Sequence, residues 1–465
     1  MKTAYKSLVW GVLVFGLAVA GCSHKTAQVF SIPDQATAAQ LKQFVLEKKI
    51  EADSATNEPA PQFAAFFAAA QKGDWLAVSN TFLDLRKHAA QYQSSSNGTD
   101  PRLHGTRWQA VIEIWGAFYA FGQGDEKYSA AFGHDVIQSI PPGSIYLGGT
   151  DPGRFIVTAL QKSQVKGDPF FTLTQNELTD GAYLDYARSL YGKQLYIPTR
   201  QDLERCFKEY SSDALDRLSR HELKPGEDVR TDANGDVRIN NQLAVIGIRT
   251  RMAKVLFERN ANCQFYLEES FPLHWMYPHL EPHGLIMKLN REPAETLSED
   301  VLRTDHDYWL KCIAPIIGAW LNDSTTVQEL AEFVEKTYVK HDLNGFKGDP
   351  EYLSSDYAQK TFSKLRHAQG GLYSWRAGIP PMGEQIPREY APKNDAAKQR
   401  FAREADFAFK QAFALCPSSA EVTIGYVAFL MSEKRKADAL LIAQTASHAD
   451  PKNSQLGYLL QNLSR

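Results

Sequence analysis

The sequence has no surplus of positive charge: 51 Lys and Arg stand against 54 Asp and Glu, a formal net charge of −3. Without a positive field to attract phosphate backbones, nucleic acid is excluded as an expected partner. Long apolar runs are missing beyond the N-terminal segment, and the nearest approach, Trp108 to Phe121, is broken by Glu113. No membrane span is expected there. Cysteine is scarce, five in 465 residues, and Cys206, Cys263, Cys312 and Cys416 stand too far apart for a CxxC redox or zinc pattern. Nor does GxGxxG, HExxH or GxSxG occur. Those absences remove the usual signatures of dinucleotide binding, zinc hydrolysis and an activated serine, so neither a cofactor nor a metal is expected.

What is there suffices for a folded body. With 43% hydrophobic and 11% aromatic residues, the chain can bury the cores of two or three domains. Its first residues have the make-up of an export signal: Lys2 and Lys6, an apolar stretch from Leu8 to Ala20, and Gly21 before Cys22. Ser23, His24 and Lys25 close that stretch too early for a comfortable span. Ala18-Val19-Ala20-Gly21-Cys22 resembles the lipobox of bacterial lipoproteins. The resemblance implies acylation of Cys22, attachment to a membrane through that lipid, and, with Ser23 following, sorting to the outer membrane facing the periplasm. Ordinary secretory cleavage with Cys22 as a chance residue is the alternative. Export also permits disulfides among the other four cysteines, in any of three pairings, while burial as free thiols is the simpler expectation.

Periodicity divides the rest. Residues 1–21 read as the signal peptide and 22–61 as a tether with one short helix around Leu41, Phe44 and Val45. Residues 62–140 read as helical, with an antiparallel pair turning at Lys72-Gly73-Asp74-Trp75. At Ile140-Pro141-Pro142-Gly143 the pattern changes, and 141–291 reads as an α/β domain. Its strands are expected at Ser144–Leu147, Phe170–Leu173, Leu195–Ile197, Gln264–Leu267 and Leu285–Leu289, alternating with helices. That order predicts a Rossmann-like, mostly parallel sheet of about five strands. Residues 292–395 return to helices, and 396–465 read as a tetratricopeptide-like array. Pro417 and Pro451 lie 34 positions apart, and Ala405 and Ala412 match Ala439 and Ala446 at that same offset. The fold class is therefore α/β plus all-α.

One loop and two further strand ends are candidates for ligand binding. Gly148-Gly149-Thr150-Asp151-Pro152-Gly153-Arg154 lies where the first strand passes into a helix, the place where open α/β sheets hold ligands. Arg154 and Phe155 replace the Lys and Ser/Thr of a phosphate loop, which points away from a nucleotide. Gly148, Gly149, Asp151 and Arg154 fit a small polar or anionic ligand; equally, the glycines fit a tight turn and Asp151 a helix cap. Asn176 and Glu177, with Glu268 and Glu269, end two other strands on the same expected rim. Carboxylates placed there could do acid–base work at the right separation, or cap the following helices, as Asp180 and Ser270 also could. His274, His279 and His283 cluster around Glu281, but Pro278 and Pro282 break any helix that would align their rings. Asp232-Ala233-Asn234-Gly235-Asp236 begins like a calcium loop, yet Val237 and Leu243 occupy the glycine and glutamate positions. Asn234-Gly235 reads instead as a hairpin turn.

The run Ile140-Pro141-Pro142-Gly143-Ser144-Ile145-Tyr146-Leu147-Gly148-Gly149-Thr150-Asp151, with Phe265-Tyr266-Leu267-Glu268-Glu269-Ser270 and Trp275-Met276-Tyr277-Pro278, resembles the soluble part of bacterial envelope proteins related to protein O-mannosyltransferases. Some of those end in tetratricopeptide repeats. This chain lacks the multispan region that carries the transferase chemistry in that family, so the activity does not transfer with the resemblance. The expectation is a lipid-anchored envelope protein acting as a protein-interaction or scaffold module through its repeat surface, with a small glycan or anion at the loop. The alternative is an enzyme acting on envelope glycans at the strand-end rim.

Overall fold

The computed structural model describes residues 35–464, except 56–57, 90–98, 104, 124–125, 149–151, 162–168, 224–226, 232–236, 240–241, 269–272 and 381–384. The chain packs as two units, each built from separate stretches: residues up to Gly122 with Arg154–Cys263, and Gln123–Gly153 with Gln264–Arg465. Helices dominate, and the strands form one five-stranded mixed sheet and a separate two-stranded ribbon. In chain order they are β1 (Ile145–Gly148), β2 (Phe171–Thr174), β3 (Val229–Thr231), β4 (Val237–Ile239), β5 (Phe265–Leu267), β6 (Leu280–His283) and β7 (Ile286–Leu289). No helix among the described residues is long and apolar enough to cross a membrane.

In the first unit, the helices Gln62–Lys72 and Trp75–His88 turn at Gly73, whose φ of 70° is left-handed, and Asp74 caps the second by accepting from the Ala77 N–H at 3.0 Å. Phe82 stacks on Trp108 and Trp115 of the Gly105–Gln123 helix, with centroids 5.9 and 4.3 Å away. The expected tether contributes a packed element. Leu41, Phe44, Val45 and Ala52 of the Gln35–Asp53 helix are buried, and so is Lys48. Helix Gly181–Tyr191 starts at Asp180, which caps Ala182 and Tyr183, and helix Arg200–Ser219 starts on a reciprocal Thr199–Asp202 capping box. β3 and β4 pair antiparallel around the Asn234-Gly235 position; the turn itself lies outside the described residues.

Leu195–Ile197, expected as a strand, is not one. The Asn260 side chain accepts from the Tyr196 N–H and donates to the Tyr196 carbonyl, both at 2.9 Å. One amide thus supplies both bonds that a neighbouring strand would have given.

In the second unit β1 pairs parallel with β5, Tyr146 opposite Tyr266, while β5 and β6 both pair antiparallel with β7. The mostly parallel arrangement expected from strand–helix alternation therefore gives way to a mixed one. The cause is β6, which a short turn at Gly284 (φ 61°) joins directly to β7; a parallel connection would need a crossover of a dozen residues or so. Pro282 can sit in β6 because that strand is the sheet's edge, where a missing N–H breaks no ladder.

The rest of this unit is helical. Helix Asp356–Arg376 packs on Asp395–Leu415, which packs on Ala420–Ser432, and so on through Lys436–Ala449 to Ser454–Leu463. Two pairs one step further apart also meet: Asp356–Arg376 touches Ala420–Ser432, which touches Ser454–Leu463. Ala405, Ala412, Ala439 and Ala446 are fully buried between these helices. Close approach elsewhere uses glycine: a Cβ on Gly425 would fall on the His367 ring. Arg366 holds the helices together internally, donating to Asp305 at 2.7 Å and to Gln411 at 2.6 Å, while Gln369 donates to the carbonyls of Gly284 and Ile286.

Candidate functional site

Of the loop expected to bind a ligand, Gly149 and Asp151 lie outside the described residues, as do Glu269, the calcium-like Asp232–Asp236 segment and Cys22. Gly148 and Gly153 are described, and both serve close packing. A Cβ on Gly148 would stand 3.0 Å from the Gly153 carbonyl, and one on Gly153 would fall on the Glu268 carboxylate. Glu268 donates its backbone N–H to Leu147 at 3.0 Å, which continues the β1–β5 ladder, and its fully buried carboxylate is met by Lys364 Nζ at 3.1 Å.

Arg154 belongs to the first unit, in the π-turn Pro152–Ile156 that opens the helix after β1. It is buried, and its guanidinium is already surrounded: Gln109 Oε1 at 2.6 Å, Glu113 Oε1 at 3.3 Å and Glu177 Oε1 at 3.5 Å. The rings of Phe155 and Tyr183 each lie 5.3 Å from it. Glu113 is shared with Lys48, whose Nζ sits 2.6 Å from Oε2, and it accepts from the Tyr186 hydroxyl at 2.8 Å. Lys48 also pairs with Glu51 at 2.8 Å.

Burial alone would push the Glu113 carboxyl up, but Lys48 and Arg154 outweigh it and hold that group down at about 2. Lys48 and Arg154 are pushed the other way: burial opposes their charge, and the facing carboxylates raise both above their ordinary values. The centre of the cluster holds a void of about 10 Å³, room for one water at most. Arg154 Nε, which has no protein partner, fits such a water. Asn176 likewise finds an internal partner, accepting from Arg249 Nη1 at 2.7 Å. Chemically, this arrangement is a sealed charge network that joins four separate stretches of chain.

Among the described residues no group of His, Cys, Asp and Glu is arranged to hold a metal. His279 Nδ1 lies 2.9 Å from the Asn290 carbonyl and His283 Nε2 2.8 Å from that of Ser139, so these two rings serve backbone oxygens. All four described cysteines are free thiols. Burial pushes Cys206 and Cys416 up to about 11 and Cys312 up to about 12, which keeps them protonated and poorly nucleophilic at neutral pH.

An open cavity of about 630 Å³ lies within the second unit. Its floor is buried Leu285, Ile316 and Phe362, and exposed Lys127, Ala131 and Pro315 stand at its mouth. Asp135 and Tyr308 both stand in its wall; Asp349 accepts from Lys127 and, at 2.5 Å, from the Tyr128 hydroxyl. Sequence reasoning missed every one of these residues. Asp135 looked like the polar face of an amphipathic helix, and Lys127 and Asp349 are 222 positions apart. The one local signal is Pro315 inside the last turn of helix Glu299–Ile317, where a proline interrupts helical bonding.

No family model, curated protein or solved structure matches the chain.

Proposed function

We propose that the chain is a lipid-anchored protein of the cell envelope, acylated on Cys22 and held at the outer membrane, that works as a protein-interaction module through a tetratricopeptide-like array. The observation that carries this reading is an apolar stripe on the helical part of the second unit. Ile424, Ala428 and Met431 are all exposed, spaced four and three residues apart on one face of helix Ala420–Ser432. Tyr458, 67% exposed, stands on the adjoining helix Ser454–Leu463. Exposed apolar side chains on neighbouring helices of a stack are suited to a peptide or a partner helix. The 34-residue offset between buried alanines supports the repeat assignment, and the parallel β1–β5 pair followed by a helix supports a Rossmann-like ancestry for the sheet.

A photoreactive residue at Met431 or Tyr458 in living cells is expected to cross-link one dominant envelope protein, and Ile424→Asp to abolish the product while the chain stays folded. Absence of any cross-link from both positions, in membrane-bound protein, rejects the interaction reading. Cys22→Ser is expected to release the chain from the membrane fraction; equal retention rejects the anchor.

A further inference from the structure

We infer that the cavity of the second unit is a binding site for a small organic cation, an amine with an apolar body. Its volume, about 630 Å³, lies in the range of small-molecule sites. An apolar floor beneath a few converging polar groups is the usual make-up of such a site, and the polar groups here fix the sign of the charge it accepts. Asp349 is already matched, by Lys127 and the Tyr128 hydroxyl. Asp135 differs: the groups that act on its charge are the neutral Tyr308 hydroxyl and the His283 ring, which itself is bonded to the Ser139 carbonyl. The cavity thus holds one carboxylate that no lysine or arginine among the described residues neutralises.

Three aromatic side chains, Tyr128, Tyr308 and Phe362, complete the lining, and the negative faces of such rings favour cations. An anion would meet two carboxylates, with the one ammonium at the mouth committed to Asp349 and, at 3.5 Å, to Glu351. Burial raises the Asp135 carboxyl above its ordinary value, so an arriving ammonium relieves an unfavourable charge rather than displacing an existing partner. The Cys312 thiol in the same wall stays protonated and neutral at neutral pH.

The test is a calorimetric titration of the full chain with phenethylammonium, phenethyl alcohol and phenylacetate near neutral pH. The ammonium is expected to bind, the alcohol about tenfold more weakly or worse, and the acid not at all, because shape is held constant while charge changes. Asp135→Asn keeps the side chain's shape, removes its charge, and is expected to weaken the ammonium about tenfold without affecting the alcohol. Ala131→Trp, at the mouth, keeps the carboxylate and is expected to block both ligands. Thermal melts of both variants establish that they are folded. Equal affinity for ammonium and alcohol, an Asp135→Asn variant that binds the ammonium as well as the parent, or no binding of the ammonium at millimolar concentration each overturns the assignment. Alcohol binding tighter than that of the ammonium would instead mark a site for neutral ligands and overturn the assignment.

Discussion

Lys48, Glu113 and Arg154 in the first unit meet around a void of about 10 Å³, whereas Asp135 and Asp349 in the second face a cavity of about 630 Å³. Both places gather carboxylates and cations from distant parts of the chain. The first has matched each charge internally and closed over the result; the second has left one carboxylate facing open space. Enclosure, more than residue type, separates a charge that holds a fold together from one that can meet a ligand. Arg366 and Asp305 show that the second unit also builds sealed pairs: their side chains are fully buried 2.7 Å apart, and Tyr373 adds a hydrogen bond to Asp305 at 2.6 Å.

The contrast can be broken most severely at Glu113. Glu113→Gln leaves Lys48 and Arg154 buried with too little negative charge, and urea unfolding is expected to register a loss of about 3–5 kcal/mol. A loss below about 1 kcal/mol would mean the network is solvated and not sealed.

Acid is expected to separate the two units next. Burial pushes the His367 imidazole down to about 4 from its usual 6.5, so the stability that its neutral form contributes is complete above about 6.5 and drains away as the pH falls toward 4. The whole term amounts to roughly 3 kcal/mol. Glu113, held at about 2 against an ordinary 4.5, contributes stability that is complete above 4.5 and is lost only below it, toward pH 2. Hydrogen exchange across an acid series should therefore show the second unit loosening first, and His367→Gln should remove that early phase.

Asn260→Ala strips both backbone partners from Tyr196 and is expected to cost about 1–3 kcal/mol. Asp180→Ala removes one helix cap, for about 1 kcal/mol. Ile424→Asp, on an exposed face, should change stability by no more than about 0.5 kcal/mol. An effect comparable to that of Asn260→Ala would mean that face is packed.

Much of the helical framework was legible. Helix Gly181–Tyr191 falls where periodicity puts it, and the turn at Gly73-Asp74 was marked by a glycine and a capping residue. β1, β2, β5 and β7 were visible as short apolar runs. The errors have local causes. Leu195–Ile197 has a strand's composition, but its pairing bonds go to the Asn260 side chain, 64 residues away from Tyr196. β6 carries a proline within it, which conceals an edge strand from any propensity argument. At the candidate site, Arg154 stood out by position after β1, while the partners that enclose it, Gln109 and Glu113, come from 45 and 41 residues earlier. Asp135 carried no mark at all, since its character comes from Tyr308 and from the open space beside it.

The sharpest single measurement is calorimetric titration of phenethylammonium into Glu113→Gln and Asp135→Asn side by side, each at a temperature where it is folded. The account predicts parental affinity in the less stable Glu113→Gln chain and about tenfold weaker binding in the fully stable Asp135→Asn chain. Binding lost with Glu113 and kept without Asp135 would contradict it, placing the ligand chemistry in the cluster assigned here to holding the fold.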